Sequence, residues 1–159
     1  MQISELKPEY DLALADLIRD ILKKFHLDIP GTVYYDENLN HLSEFYSADP
    51  DRRYYYVVTD ERENVVGGIG MAEIDLFEDC CELQKLYLSD EFRGEGFSYR
   101  LISMIEDKAR EFGYKRMYLE THDNLPAAIH VYEKAGYREI EKPSGVVHAT
   151  MNRFFIKEL

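Results

Sequence analysis

The stretch that most constrains this chain runs from Ser98 to Phe112, where Ile102, Ile105, Ala109 and Phe112 recur at helical spacing and Glu106 can pair with Arg110 one turn on. Gly113 suits the left-handed stop of such a helix. Strand-like runs bound it on both sides, Cys80 to Leu88 before it and Arg116 to Thr121 after it. A strand, a helix and a second strand in that order make a crossover, and crossovers join parallel neighbours, whereas antiparallel neighbours need only a tight turn. At least one parallel pair is therefore expected in the sheet.

The remaining segments read as strands and helices of ordinary length. Gln2 to Leu6 is a first strand, and Pro8 opens a helix with Leu14, Ile18, Ile21 and Phe25 on one face. Leu27 to Tyr35, with Pro30 and Gly31, is a loop, and Asp36 is placed to cap a second short helix carrying Leu39, Leu42 and Phe45. Tyr54 to Thr59, Val65 to Ile74 and Cys80 to Leu88 form an antiparallel meander, in which Gly67, Gly68 and Gly70 mark a bulge or a close backbone approach. Beyond the central helix come a strand, a helix from Pro126 to Lys134 stopped by Gly136, and strands at Tyr137 to Ile140 and Met151 to Leu159. The order implies a mixed α/β layer architecture, an α+β arrangement in one domain over residues 1–159, with the parallel strand carried at one edge of the meander.

Charge and cysteine usage narrow the function. The formal net charge is −12, which gives no support to phosphate-backbone neutralisation, so nucleic-acid binding is not expected. The same field favours cationic small molecules or basic peptides, or serves solubility alone. No run approaches the ~20 apolar residues needed to cross a bilayer, and the first residues lack a basic-then-apolar signal, so a cytoplasmic protein without membrane attachment is expected. Cys80 and Cys81 are adjacent, which disfavours a mutual disulfide and provides no metal-ligand spacing; both read as buried strand residues. His122, His130 and His148 show neither ligand spacing nor a nucleophile partner and are left without a role.

The chemistry is concentrated in Leu86-Tyr87-Leu88-Ser89-Asp90-Glu91-Phe92-Arg93-Gly94-Glu95-Gly96-Phe97-Ser98-Tyr99-Arg100, which passes from a strand through a glycine turn into the central helix. Small residues there let backbone N–H groups approach a ligand, and the amides and dipole at a helix N-terminus favour an anion such as phosphate. Arg93 and Arg100 add local positive charge. Neither a P-loop nor a G-x-G-x-x-G dinucleotide motif is present, since Gly94 and Gly96 are followed by Tyr99 where a third glycine would stand.

Arg93, Gly96 and Ser98 in this setting resemble the [RQ]-x-x-G-x-[GA] signature of the GNAT superfamily of acyl-CoA-dependent N-acyltransferases. Ala127-Ala128-Ile129-His130-Val131-Tyr132-Glu133-Lys134-Ala135-Gly136-Tyr137 resembles that family's second signature, in the right order. Two departures stand out: Ser98 occupies a position where glycine or alanine is usual, and Leu125 stands where the family often has asparagine, with Asn124 one place earlier.

The resemblance implies a mostly antiparallel central sheet of about six or seven strands with helices on both faces. It also implies acetyl-CoA as co-substrate, with no metal, and an amine acceptor from a small molecule, amino acid, polyamine or peptide. The pantetheine arm would follow the backbone of Leu86, Tyr87 and Leu88, and the diphosphate would sit on the turn formed by Arg93, Gly94, Glu95, Gly96, Phe97, Ser98 and Tyr99, with Asn124 as a further contact. Tyr132 matches the family's general acid near the sulfur, and Glu120 and Glu82 match two positions that hold a general base. The segments from Val33 to Tyr56 and from Asp75 to Asp79 would face the acceptor. A non-catalytic module that keeps the acyl-CoA cradle as a sensor is the competing expectation, and a homodimer is left open.

Overall fold

The structure is a computed structural model that describes all residues, Met1 to Leu159. Its frame is a seven-stranded sheet made of β1 (Gln2–Glu5), β2 (Tyr54–Thr59), β3 (Val65–Glu73), β4 (Cys80–Leu88), β5 (Arg116–Thr121), β6 (Arg138–Ile140) and β7 (Arg153–Glu158). The order across the sheet is β1-β2-β3-β4-β5-β7-β6. Every neighbouring pair is antiparallel except β4 and β5, which the central helix joins and which lie parallel. The parallel strand β5 lies at the edge of the meander, beside β4, as expected, and the pair is central in the whole sheet because the last strand returns antiparallel to β5.

Alternation along the strands divides the core. Val58, Ile69, Met71, Cys81, Met117, Leu119 and Phe155 face one side, where α3 (Phe97–Glu111) and α4 (Pro126–Lys134) cover them with Leu101, Ile102, Ile105, Ala109 and Ile129. Tyr55 and Val57 face the other side, under α1 (Asp11–Lys24) and α2 (Leu42–Ser47), which contribute Leu14, Ala15, Ile18, Leu22, Leu42 and Tyr46. Leu101 and Ile105 are fully buried, so truncating either to alanine would remove about 2–5 kcal/mol of stability. Cys80 and Cys81 are buried, unpaired and on opposite faces.

One local expectation changes and another is qualified. Asp36 does not cap the second helix, which starts later, at Leu42; Asp11 of α1 does that work instead, accepting from the Ser43 amide at 2.9 Å and from the Ser43 hydroxyl at 2.5 Å. The expected i,i+4 pair of Glu106 with Arg110 is present at 4.0 Å, but Glu106 makes its shorter contacts inward, to Lys157 Nζ and the Tyr137 hydroxyl at 2.9 and 3.0 Å, and Arg110 lies nearer Asp107 at 2.7 Å. The buried alternatives offer Glu106 charge-assisted hydrogen bonds away from competing water.

The glycines of β3 serve close packing. A Cβ on Gly68 or Gly70 would overlap the Tyr55 ring, so their absence lets that ring lie flat on the strand. Tyr55 in turn donates its hydroxyl to the Lys85 carbonyl at 2.8 Å. Lys85 is an extra residue in β4: the register with β3 shifts between Gly68 and Gly70, and Lys85 takes a φ of +50°. That combination is a β-bulge, held by a phenol that reaches across β3 from β2.

Candidate active site

β4 and β5 pair at Cys80 with Arg116, Cys81 with Met117 and Glu82 with Tyr118, and then part. Beyond Glu82, β4 has no neighbour on that side, so backbone groups that would have bonded β5 open onto a cavity of about 500 Å³. The walls are mainly apolar, with Ile21, Leu22 and Phe25 from α1 and Ala127, Ala128 and Val131 from α4.

The start of α3 forms one part of the lining. Gly94 and Gly96 turn the chain at φ +89° and +75°, values that favour glycine, and a Cβ at either would meet nothing within 4 Å. No side chain caps α3, so the amides of its first turn keep their hydrogen-bonding capacity beside the positive end of the helix dipole. Backbone of this kind, open and unpartnered, is suited to a diphosphate. Arg93 steadies the turn: its Nε donates to the Leu88 carbonyl at 3.0 Å, and its guanidinium pairs with Asp90 at 2.8 Å and lies over Phe25.

Charged side chains line another part. Glu82 stands on β4 at the point of separation, and burial together with the facing Glu120 carboxylate raises its pKa to about 7. Gln84 donates to it at 3.2 Å, and the Tyr46 hydroxyl donates to Gln84 at 2.9 Å. Glu120 accepts from the Tyr118 hydroxyl at 3.1 Å and faces His148 Nδ1 at 3.1 Å, while His148 Nε2 faces Asp36 at 2.8 Å. Hydrogen bonds to Asp36 and then Glu120 raise the His148 pKa to about 9. Lys85 Nζ lies 3.7 Å from Asp36; burial pulls its pKa down, against the pull of Asp36 and Glu82 toward the charged form. Tyr132 also lines the cavity, and burial pushes its pKa up, so the phenol stays protonated and neutral.

Of the residues singled out from sequence, Glu82, Leu86, Tyr87, Leu88, Arg93, Gly94, Gly96, Phe97, Ser98, Tyr99, Glu120 and Tyr132 line this one cavity. Glu95 and Asn124 lie outside the lining; the Asn124 side chain donates to the Phe25 carbonyl at 2.9 Å, joining the α4 entrance to the end of α1. Ser98 does not cap α3 through its hydroxyl. The Asp75 to Asp79 segment lines a separate pocket with Arg52, Glu73 and Tyr114, away from the cavity. Asp36 was expected as a helix cap within the acceptor-facing stretch from Val33 to Tyr56, His148 was left without a role, and Gln84 and Lys85 were not singled out. Adjacent polar residues Gln84 and Lys85 interrupt the alternation of β4 and mark the bulge, whereas the pairing of Asp36 with His148, 112 positions apart, leaves no local signal.

Comparison with known proteins bears on this arrangement. Residues 15–137 match the family model described as the acetyltransferase (GNAT) family. An uncharacterized N-acetyltransferase, YjgM, of Escherichia coli is 40% identical over 84% of this chain and 79% of its own length. Spermidine N(1)-acetyltransferase of Vibrio cholerae is 29% identical over 65% of this chain and 61% of its own length. In fold, the chain is similar to a GNAT-family acetyltransferase of Staphylococcus aureus Mu50, with a TM-score of 0.88, 23% identity and coverage of 99% and 98% of the two chains. It is also similar to the PaiA N-acetyltransferase of Thermoplasma acidophilum, determined in complex with coenzyme A, with a TM-score of 0.76, 17% identity and full coverage of both chains.

Proposed function

The chain belongs to the acetyltransferase (GNAT) family, and on that premise we propose that it moves an acetyl group from acetyl-CoA to a primary amine, with Glu82 as general base and Tyr132 as general acid. The residues present suit an acyl-CoA. Open glycines and uncapped amides at the start of α3 suit the diphosphate, and the unpaired edge of β4 from Leu83 to Leu88 suits the amide groups of the pantetheine arm.

Each chemical role follows from its environment. Glu82, with a pKa of about 7, exists in both protonation states near neutrality and in its carboxylate form can take a proton from the acceptor's ammonium, freeing the amine that attacks. The freed amine forms its bond to the thioester carbon as the carbon–sulfur bond breaks; Tyr132 supplies a proton to the departing sulfur, and the second proton that the acylated nitrogen loses restores the phenol. Glu120 then acts on Glu82 through its charge, raising that pKa toward the working range. The observation that carries the proposal is that uncapped helix amides, the unpaired β4 edge, a protonated phenol and a titrating glutamate meet in one cavity.

Incubation with acetyl-CoA and a broad panel of primary amines, following release of free thiol, tests this directly. Thiol release with at least one amine is expected, and Tyr132→Phe should lower kcat by about 10–100-fold with little change in CoA affinity. Tight CoA binding without turnover of any amine would contradict the proposal and favour a binding module.

A further inference from the structure

The charged groups around Glu82 divide into those hydrogen-bonded to a charged neighbour and those that are not. Glu120 is matched by Tyr118 and His148, at 3.1 Å each. Asp36 is matched by His148 at 2.8 Å. His148 is fully used as well, since both ring nitrogens face carboxylates and both must carry protons to serve them. Two groups remain. Glu82 has no cationic partner within salt-bridge distance and accepts only from the neutral Gln84 side chain. Lys85, with a side chain 7% exposed, makes no hydrogen bond with its ammonium protons, because its 3.7 Å approach to Asp36 is an ion-pair distance beyond hydrogen-bonding range.

A nearly buried ammonium whose ion pair with Asp36 is long and carries no hydrogen bond is incompletely compensated, so its position needs a reason. The chain holds it there by a bulge at φ +50°, tied down by the Tyr55 phenol and made possible by the absence of side chains on Gly68 and Gly70. Lys85, Glu82 and His148 all line the same cavity.

Resting on the acetyl-transfer reading above, we propose that Lys85 receives a carboxylate of the acceptor, so that the acceptor is an amino acid or a similar small molecule bearing a free carboxylate close to the amine that Glu82 deprotonates. Glu82, which has no cation beside it, and Lys85, which has an ion pair but no hydrogen bond, are opposite in sign, as are the two ends of such a molecule. A carboxylate supplies the charge-assisted hydrogen bonds that Lys85 lacks. A second ammonium, as in a polyamine, meets Lys85 and the His148 imidazolium and is rejected by like charge. The amide of the same amino acid carries no anion and leaves Lys85 unsatisfied.

The test pairs free L-amino acids with their carboxamides, with spermidine and cadaverine as carboxylate-free amines, in the thiol-release assay on the full chain. For the preferred side chain, kcat/KM for the acid should exceed that for the amide by about tenfold or more, although the amide's amine is the less basic and so the more available. In Lys85→Met that ratio should fall about tenfold. Amides or polyamines used as well as the acids, or a ratio unchanged in Lys85→Met, overturns the proposal while leaving acetyl transfer in place; if the variant fails to fold, the wild-type ratio decides alone. If no acceptor is turned over, acetyl transfer fails and calorimetric titration of the amino acids into the protein–CoA complex decides: Lys85-dependent binding upholds the carboxylate site, and no binding overturns it.

Discussion

The glycine turn and the charged wall of the same cavity are built on different principles. The turn is contiguous, from Leu86 to Tyr99, and offers mainly backbone: two glycines at positive φ and a helix start without a cap. The wall gathers Glu82, Lys85, Glu120 and His148, with Asp36 behind them, and works through side chains that set one another's charge. A backbone site depends on conformation and tolerates many side chains, while a charged cluster depends on each member, so substitutions should separate binding of one substrate from reaction with the other.

The largest expected effect belongs to the wall. Glu82→Gln should lower kcat by about 100-fold or more while CoA affinity stays within about twofold, in single-turnover kinetics and calorimetry. A loss of CoA affinity instead would break the contrast between the two regions. Glu120→Gln should act more gently. With the like charge removed, the acidic limb of the pH–rate profile, set by Glu82 at about 7 in the native protein, should move toward lower pH with activity retained. Loss of activity with the limb unmoved would make Glu120 the base.

His148 gives the smallest effect, and it appears in stability. Its pKa is raised from 6.5 to about 9, so the stability it contributes is fully present below about pH 6.5 and is lost as pH rises through 9. Thermal melts of His148→Gln should lie about 3 °C or more below the native protein near pH 6, with the gap closing above pH 9. A gap that widens with pH would remove the imidazolium from the account.

The two regions also differ in what their residues disclose in advance. The limits of β2, β4, β5 and α4 agree with the alternation and punctuation of the sequence, because strand period, proline at Pro126 and glycine at Gly136 are local signals. The glycine turn is legible for the same reason. The parallel pair was expected from the crossover, but its central place depends on where β7 returns, which no local pattern records. Asp36 looked like a helix cap because aspartate before an apolar run usually is one; here its carboxylate faces His148 and Lys85, and Asp11 supplies the cap from another helix. Glu82 and Glu120 could each be named as acids near the site, but their facing across the point where β4 and β5 part, which separates their roles, is a tertiary fact.

Calorimetric titration of CoA into the native chain and into Gly96→Val tests the central claim, that the open turn before α3 and the parted strands form the acyl-CoA site. The account predicts one site per chain, weakened by added salt, and at least about tenfold weaker in Gly96→Val, whose side chain would stand in the space that is open above the turn. No heat with the native protein, or equal affinity in a correctly folded variant, would contradict it.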